Sequence, residues 1–226
     1  SIKTKSGHKP RGIAVTKGGH LVYIDSYNRT VYTIFWNMIH EVVKIHEWEP
    51  ISLCCTSADE LLVIMDNEDH TETRIVRYRG EIEKQIIESN DKGRPLYLPW
   101  HYRKFLCENG NLDVCVTDSD AGALVVVNQA GILRFRYTGF STNNQKLLLT
   151  GIATDSQCRI LTADLNKSCI HIIDQDGHFL RYIDMELLVY IVYKPWSLCT
   201  DSKDNLYVTY TDTGRVRKIQ YYMPKD

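Results

Sequence analysis

The sequence lacks a long hydrophobic run. Its longest uninterrupted apolar stretch covers residues 187–193, well short of the roughly 20 residues that a membrane-spanning helix needs, and its first residues do not resemble a signal peptide. We therefore expect no contact with a membrane. Because the chain begins with Ser1 rather than Met, we also expect it to be part of a longer protein.

An excess of one charge is also missing. Lys and Arg number 27 against 28 Asp and Glu, which gives a net charge of −1 at pH 7, so no overall field would attract nucleic acid or an anionic surface. A charged partner would have to bind a local patch of opposite charge. With 43% hydrophobic and 24% charged residues, the composition excludes a disordered chain and predicts one folded domain over residues 1–226.

Recognisable catalytic and zinc-binding motifs are absent. The chain has no G-x-S-x-G, Cys-His or H-E-x-x-H arrangement and no Cys and His cluster with the closely spaced ligand pairs of a zinc module, so we expect no catalytic residue, no metal and no cofactor. Seven cysteines cannot all pair with one another, which favours a reducing compartment and a cytoplasmic location. The sequons at Asn28 and Asn166 leave secretion as the alternative.

What the chain does contain is an internal repeat. Three segments align without a gap: PRGIAVTKGGHLVYID at 10–25, LTGIATDSQCRILTAD at 149–164 and PWSLCTDSKDNLYVTY at 195–210. An Asp follows a short apolar run in four of the units, and Tyr210 takes its place in the last; these acids are Asp25, Asp66, Asp118 and Asp164. Five repeats fit the chain, at about residues 10–49, 50–98, 99–146, 147–194 and 195–226 with 1–9.

Each repeat contains about four short runs rich in β-branched and aromatic residues, which predict strands. In the fourth repeat these runs are residues 152–154, 160–163, 170–173 and 179–183. Repeated four-stranded antiparallel sheets predict an all-β fold, a β-propeller of about five blades. The fifth repeat ends after its third strand, so we expect residues 2–5 to supply the fourth strand and close the ring; a partial arc of a six-bladed ring is the alternative.

Several motifs resemble the NHL repeat: P-x-G-I-A-V at 10–15, L-V-Y-I-D-S-Y-N-R-T-V at 21–31 and G-I-A-T-D at 151–155. The resemblance covers nearly the whole chain and is nearest to the C-terminal propellers of tripartite-motif (TRIM) proteins, although the second and third repeats depart from the pattern. NHL rings usually have six blades, so five is a further departure. The resemblance implies a domain that selects the substrate of an E3 ubiquitin ligase or binds RNA, with the ubiquitin-transferring segments outside this chain.

The four aligned acids are the most regular polar feature of the repeats. An Asp that closes a strand can accept hydrogen bonds from backbone amides of the following turn, so we interpret Asp25, Asp66, Asp118 and Asp164 as structural turn residues. The alternative is a Ca²⁺ site at one mouth of the ring, as in lactonase-like propellers, but Ca²⁺ needs 6–8 converging oxygens.

Isolated Cys and His residues are interpreted as structural. Cys54 and Cys199 occupy the strand position of Ala14, where a small residue packs. His171 lies within an apolar strand, and its counterparts in other repeats are Tyr32 and Arg217, so we interpret it as a strand histidine with satisfied hydrogen bonds.

A basic and aromatic segment, RPLYLPWHYRKF at 94–105, contains no acid. Cations interleaved with rings suit single-stranded RNA, and Arg with aromatics also suits a protein-binding hot spot; a long crossing between blades whose rings fill the core is the structural alternative. The candidate binding residues are Arg94, Tyr97, Trp100, His101, Tyr102, Arg103 and Lys104, with Lys9, Arg11, Arg215 and Arg217 near the chain ends.

Three functions follow from these observations. The leading hypothesis is a non-catalytic platform that binds a protein partner, as the substrate-selecting domain of a TRIM-type ubiquitin ligase. The second is binding of single-stranded RNA through the basic and aromatic residues. The third is a metal-dependent enzyme of the lactonase or lyase type.

Overall fold

The fold is built from strands alone in the residues that the computed structural model describes, which are 3–99, 104–139, 146–185, 194–211 and 213–221. Nineteen strands in these ranges form five sheets, four of four strands and one of three. The predicted all-β architecture of about five repeating antiparallel sheets, a five-bladed propeller fold, is therefore confirmed. Among the described residues, no helix has the length and apolar character needed to cross a membrane.

The chain divides into two compact units, Ser1–Glu108 and Asn109–Asp226. The first unit contains strands β1 Ile13–Val15, β2 Leu21–Asp25, β3 Thr30–Phe35, β4 Met38–Lys44, β5 Trp48–Cys55, β6 Leu61–Asn67, β7 Thr73–Arg79, β8 Ile82–Ile87 and β9 Lys104–Glu108. Strands β1 to β4 form one antiparallel sheet and β5 to β8 the next, each in chain order. Short connections between sequence neighbours give the up-and-down order of a propeller blade.

The second unit continues the same pattern. Its strands are β10 Val114–Asp118, β11 Ala123–Val127, β12 Leu133–Tyr137, β13 Leu149–Thr154, β14 Ile160–Asp164, β15 Cys169–Ile173, β16 Phe179–Asp184, β17 Pro195–Thr200, β18 Leu206–Tyr210 and β19 Val216–Ile219. Strands β13 to β16 form the fourth sheet, and β17 to β19 form the fifth. The predicted strands of the fourth repeat thus differ from the observed ones by no more than a few terminal residues.

Within each unit, strands of successive sheets pack against each other. Strand β1 contacts β5 and β5 contacts β9 in the first unit, while β13 contacts both β10 and β17 in the second. The inner strands are buried on both faces, as every residue of β14 and β15 is, whereas the outer strand β16 is mostly exposed. This burial explains why the inner runs are apolar and the outer runs alternate.

The same five-residue turn joins the first two strands of every sheet. In each turn the N–H of the first residue donates to the carbonyl of the fifth, and its carbonyl accepts the N–H of the fourth. The fourth residue has a positive φ in all five turns: Gly19, Asp59, Leu112, Cys158 and Asp204. One backbone conformation, repeated five times, underlies the internal similarity that the sequence shows.

The predicted fourth strand for the fifth sheet is not found. Residues 3–9 form turns and bends rather than a strand, and Ile2 lies outside the described residues. Gly7 donates its N–H to Thr4, and Ser6 donates its N–H to Asp25 over 2.9 Å. The segment is polar and carries a Gly at a φ of 79°, so it favours a turn held by side chains of the first sheet, and residues 3–5 do not form the strand that was predicted for residues 2–5.

Candidate functional site

The turn between β3 and β4 carries an exposed tryptophan in an unusual backbone conformation. Phe35 pairs with Met38 across the two strands, and the two-residue loop between them, Trp36 and Asn37, has φ values of 49° and 59°. Positive φ at both positions defines a type I′ turn, which normally takes Asn-Gly or Asp-Gly. A non-glycine residue in this region costs roughly 1–2 kcal/mol, yet the Trp36 residue is 81% exposed.

A cluster of side chains centred on Phe35 lies next to this tryptophan. The Phe35 ring meets the Trp36 ring edge to face at 5.9 Å and the His20 ring at 4.8 Å, and His40 lies 6.4 Å from Phe35. Phe35 and Met38 are themselves 42% and 57% exposed. We call this set the aromatic hairpin surface; it consists of His20, Phe35, Trp36, Met38 and His40.

The chemistry of the aromatic hairpin surface suits binding rather than catalysis. Its rings and thioether can bury an apolar group, its two imidazoles can donate hydrogen bonds, and it contains no carboxylate, thiol or hydroxyl. Strand β4 is also the outer strand of its sheet, so the backbone edge beside the surface is available to another strand. This surface could not be predicted from the residue pattern, because Phe35 and Trp36 fit the pattern of an ordinary strand end.

Part of the predicted basic and aromatic segment is buried. Tyr97 is 2% exposed and Lys104 is 1% exposed, so neither side chain projects from the surface. The positive charge of Lys104 acts on the buried carboxyl group of Asp66. Arg94 is exposed, whereas the predicted binding residues Trp100, His101, Tyr102 and Arg103 lie outside the described residues.

Tyr97 contributes to a cleft of about 250 Å³ in the first unit. Glu72 and Glu88 line the same cleft, together with Thr71, Thr73 and Ser89. Carboxylates repel phosphate, so this cleft does not suit the RNA backbone that the segment was predicted to bind.

The predicted residues near the chain ends have separate surroundings. Arg11 forms an ion pair with Glu49, and Lys9 is exposed. Arg217 lies on β19 and is half-buried, while Arg215 is exposed just before that strand. The structure places each of these cations on the surface of its own unit.

The four aligned aspartates are buried and accept hydrogen bonds inside their own sheets. Asp118 accepts the N–H of Ala121 at 3.0 Å, and Asp164 accepts the N–H of Asn166 at 3.0 Å. Asp25 accepts the N–H of Asn28, and Asp66 accepts the Thr73 hydroxyl at 2.6 Å. At least one oxygen of each carboxylate is therefore occupied by the loop or strand that follows it.

The thiols on the first strands are poor nucleophiles. Burial, with a contribution from Cys107, raises the pKa of Cys54 well above its ordinary value. Partial desolvation and the charge of Asp201 raise the pKa of Cys199. Because the thiolate is the reactive species, both cysteines are neutral thiols at physiological pH. Cys54 is half-buried, but Cys199 is exposed, so the predicted packing role is wrong for Cys199.

One group of potential metal ligands occurs in the described part of the chain, and it combines residues that the sequence treats separately. Asp164, Cys169 and His171 lie on β14 and β15, are buried, and bring their ligand atoms within 4.8 Å of one another. Asp164 pairs directly with Cys169, and His171 is two residues further along the same strand. A search for Cys-x-His on one strand face, opposite a strand-ending Asp, would have found this group from sequence.

Comparisons with known proteins support the fold. No protein-family model and no curated protein matches the chain. Solved structures do: virginiamycin B lyase from Staphylococcus aureus has a TM-score of 0.64 at 14% identity, covering 95% of this chain and 71% of that chain. A gluconolactonase from Xanthomonas campestris has a TM-score of 0.63 at 14% identity, covering 88% of this chain and 68% of that chain.

A third similar structure is the calcium-binding protein regucalcin from Agrobacterium tumefaciens, with a TM-score of 0.61 at 10% identity over 87% of this chain and 66% of that chain. At such identities the likeness extends to the fold alone. These neighbours are propellers of the lactonase and lyase type, so they support the propeller part of the NHL resemblance and not its TRIM-specific part.

Proposed function

We propose that this propeller is a recognition module that binds an extended segment of a protein partner at the aromatic hairpin surface. The observation that carries the proposal is Trp36, which is 81% exposed although its φ of 49° is unfavourable for a bulky side chain. Strained residues that packing does not require are typical of functional sites. Exposed Trp is also the residue type most enriched in binding hot spots.

The chemistry of the surface defines the partner segment. Phe35, Trp36 and Met38 form an apolar contact surface for an aliphatic or aromatic side chain. His20 and His40 supply hydrogen-bond donors, which favour an acidic group next to that side chain. The segment would pair as an extra strand with the outer edge of β4. Main-chain hydrogen bonds to an open edge provide affinity, and side-chain contacts provide specificity.

The sequence resemblance to TRIM propellers suggests what such a partner would be. If this chain is the C-terminal domain of a TRIM-type protein, the segment bound at the aromatic hairpin surface belongs to a protein selected for ubiquitination. This step rests on the NHL-like motifs at 10–15, 21–31 and 151–155, since the structural neighbours do not bear on it.

A peptide-selection experiment tests the proposal. A library of extended peptides would be selected on the purified chain, and the affinity of enriched peptides measured by fluorescence polarisation. We expect enrichment of an apolar residue beside an acid, and a loss of at least about tenfold in affinity for Trp36→Ala. Ile82→Ala is the matched control, because Ile82 is a 61% exposed apolar residue on the outer strand of the next sheet. Equal binding by wild type and Trp36→Ala would contradict the proposal.

The activities of the structural neighbours favour a second candidate, a metal-dependent enzyme of the lactonase or lyase type. These neighbours lend more support to this candidate than to a ubiquitin-ligase module, although fold does not determine function. Turnover of lactone or cyclic-ester substrates that depends on an added divalent cation and stops with a chelator would support it. The Asp164, Cys169 and His171 group does not supply such an active site, because all three residues are buried.

RNA binding stays a prediction. The burial of Tyr97 and Lys104 removes two of its proposed contacts, and the remaining exposed cations include Arg94 and Lys9. An affinity carried by Lys and Arg falls steeply as salt rises, so a titration of single-stranded RNA at two salt concentrations tests this function directly.

A further inference from the structure

The Asp164, Cys169 and His171 group contains buried polar atoms with no hydrogen-bond partner. Asp164 Oδ2 and His171 Nε2 are both in this state, although both side chains are completely buried. They lie 3.5 Å apart, beyond the usual range of an N–H···O hydrogen bond. Burying polar atoms without a hydrogen bond costs free energy. A ligand bound between Oδ2 and Nε2 would therefore stabilise the folded chain.

The remaining polar atoms of the two side chains are already committed. Asp164 Oδ1 accepts the N–H of Asn166, and His171 Nδ1 is 2.9 Å from the hydroxyl oxygen of Tyr137. These contacts fix both side chains and leave Oδ2 and Nε2 facing each other at 3.5 Å without a hydrogen bond. A hydrogen bond to the distal ring nitrogen of a histidine is the usual outer-shell arrangement at metal centres.

The repeat shows that the fold does not require these residue types. The partner of the strand-ending Asp is Thr30 in the first sheet, Thr73 in the second and Ala123 in the third. Thr73 satisfies its Asp with a hydroxyl bond, whereas the fourth sheet has the thiol of Cys169 in that position. Val125 occupies the position of His171 in the third sheet. Equivalent strands therefore form without a thiol or an imidazole.

We propose that Asp164, Cys169 and His171 bind a divalent transition metal, with Zn²⁺ as the preferred ion. A carboxylate oxygen, a thiolate and an imidazole nitrogen are standard Zn²⁺ ligands, at about 2.0–2.3 Å. Tetrahedral bonds of that length place ligand atoms about 3.3–3.7 Å apart, so the 3.5 Å between Oδ2 and Nε2 already matches. The thiol loses its proton on binding, and the thiolate and carboxylate then neutralise the ion.

Burial assigns the site a structural role. All three ligands lie within a single hairpin of inner strands, β14 and β15, so the ion would clamp these strands together, with a water as the fourth ligand. The site is independent of partner binding at the aromatic hairpin surface, which lies in the other unit of the chain.

Cobalt binding tests the proposal on the purified chain under reducing conditions. We expect one Co²⁺ per chain, the d–d bands of tetrahedral Co²⁺, a thiolate-to-cobalt charge-transfer band and displacement of the cobalt by Zn²⁺. Cys169→Thr should abolish the charge-transfer band while keeping the fold, because Thr occupies this position in two other sheets. Cys115→Ala is the matched control, since Cys115 is a buried thiol of the same unit outside the group, and it should retain the band.

Two results would overturn the site. One is that the wild-type chain shows no charge-transfer band at equimolar Co²⁺. This is the result expected if Asp164 and His171 are simply a buried ion pair. The other is a band that persists in Cys169→Thr, which would show that the metal binds elsewhere. If circular dichroism shows that Cys169→Thr does not fold, His171→Gln serves instead, because Gln can keep a hydrogen bond to Tyr137; unchanged d–d bands in that variant would equally overturn the site.

Discussion

Ser156 and Asp204 connect the first turns of two successive sheets. The Ser156 N–H donates to Asp204 Oδ1 at 2.9 Å, and its hydroxyl donates to Oδ2 at 2.5 Å. The first unit repeats the relationship, because the N–H of Lys17 donates to Asp59 Oδ1 at 2.7 Å. Each acceptor is the positive-φ residue of its turn, so the conformation that shapes a turn also presents a carboxylate to the turn before it.

Removing the Ser156 hydroxyl should weaken this connection. We expect Ser156→Ala to lower the free energy of unfolding by about 1 kcal/mol, the typical net value of a hydrogen bond, with some increase because the acceptor is charged. Urea unfolding measures the change. Ser202→Ala, at the equivalent exposed position of the fifth sheet's turn, should change stability by less than about 0.5 kcal/mol; equal losses in the two variants would contradict the assignment.

Arg77 lies between two buried carboxylates of the first unit. Its Nη1 is 3.3 Å from Glu60 Oε2 and 3.2 Å from Glu108 Oε1, and all three side chains are at most 9% exposed. Arg79 binds the other oxygen of Glu60 from a side chain that is 68% exposed. Burial alone would raise the pKa of Glu60, but hydrogen bonds and attraction from Arg79 and Arg77 hold it below its ordinary value.

Replacing each of the two arginines should therefore lower the free energy of unfolding by very different amounts. Arg77→Met leaves a buried carboxylate without its cation, and we expect a loss of about 3 kcal/mol in the free energy of unfolding. Arg79→Met removes an exposed charge and should cost less than about 1 kcal/mol. Chemical denaturation of both variants at neutral pH provides the comparison, and similar losses would show that burial does not set the strength of these ion pairs.

The fold was predictable because it depends on short-range patterns. The spacing of strand-ending acids such as Asp118 and Asp164, and the alignment of Gly12 with Gly151, follow from one turn and one strand order repeated along the chain. The error in the strand predicted at residues 2–5 has a local cause: an alternating Lys and Thr pattern resembles a strand, whereas the Ser6 and Gly7 that follow favour a turn.

The candidate sites were less predictable because they depend on which neighbours meet. The positive charge of Lys104 suggested an exposed cation, but its strand is covered within the first unit, and it is 1% exposed. Trp36 was not singled out, because its exposure depends on a turn type that the residue pattern does not reveal. His171 was interpreted as a strand histidine with satisfied hydrogen bonds, Cys169 was not singled out, and the strand register places both beside Asp164.

Two glycines at the same position of the repeat should tolerate a methyl group very differently. A Cβ on Gly151 would lie 2.5 Å from Ser197 Cα and 2.6 Å from Leu198 N, which are backbone atoms that cannot move aside. We expect Gly151→Ala to destabilise the chain by about 2–3 kcal/mol. In Gly12→Ala the nearest atom is the flexible end of Ile24 at 3.3 Å, so its stability should stay within about 1 kcal/mol of wild type. Thermal unfolding distinguishes the two, and a tolerated Gly151→Ala would mean that the sheets can separate.

Trp36 provides a prediction in which stability rises while binding falls. Trp36→Gly removes the cost of a positive φ and loses little buried area, because Trp36 is 81% exposed. We therefore expect a gain of about 1 kcal/mol in the free energy of unfolding, measured in urea, together with loss of peptide binding at the aromatic hairpin surface. Asn37→Gly is the control at a φ of 59°; its gain should be smaller, since Asn tolerates this region better, and its peptide binding should persist. A Trp36→Gly chain less stable than wild type would show that the ring is held by packing on Phe35, and the inference from strain to function would then lose its basis.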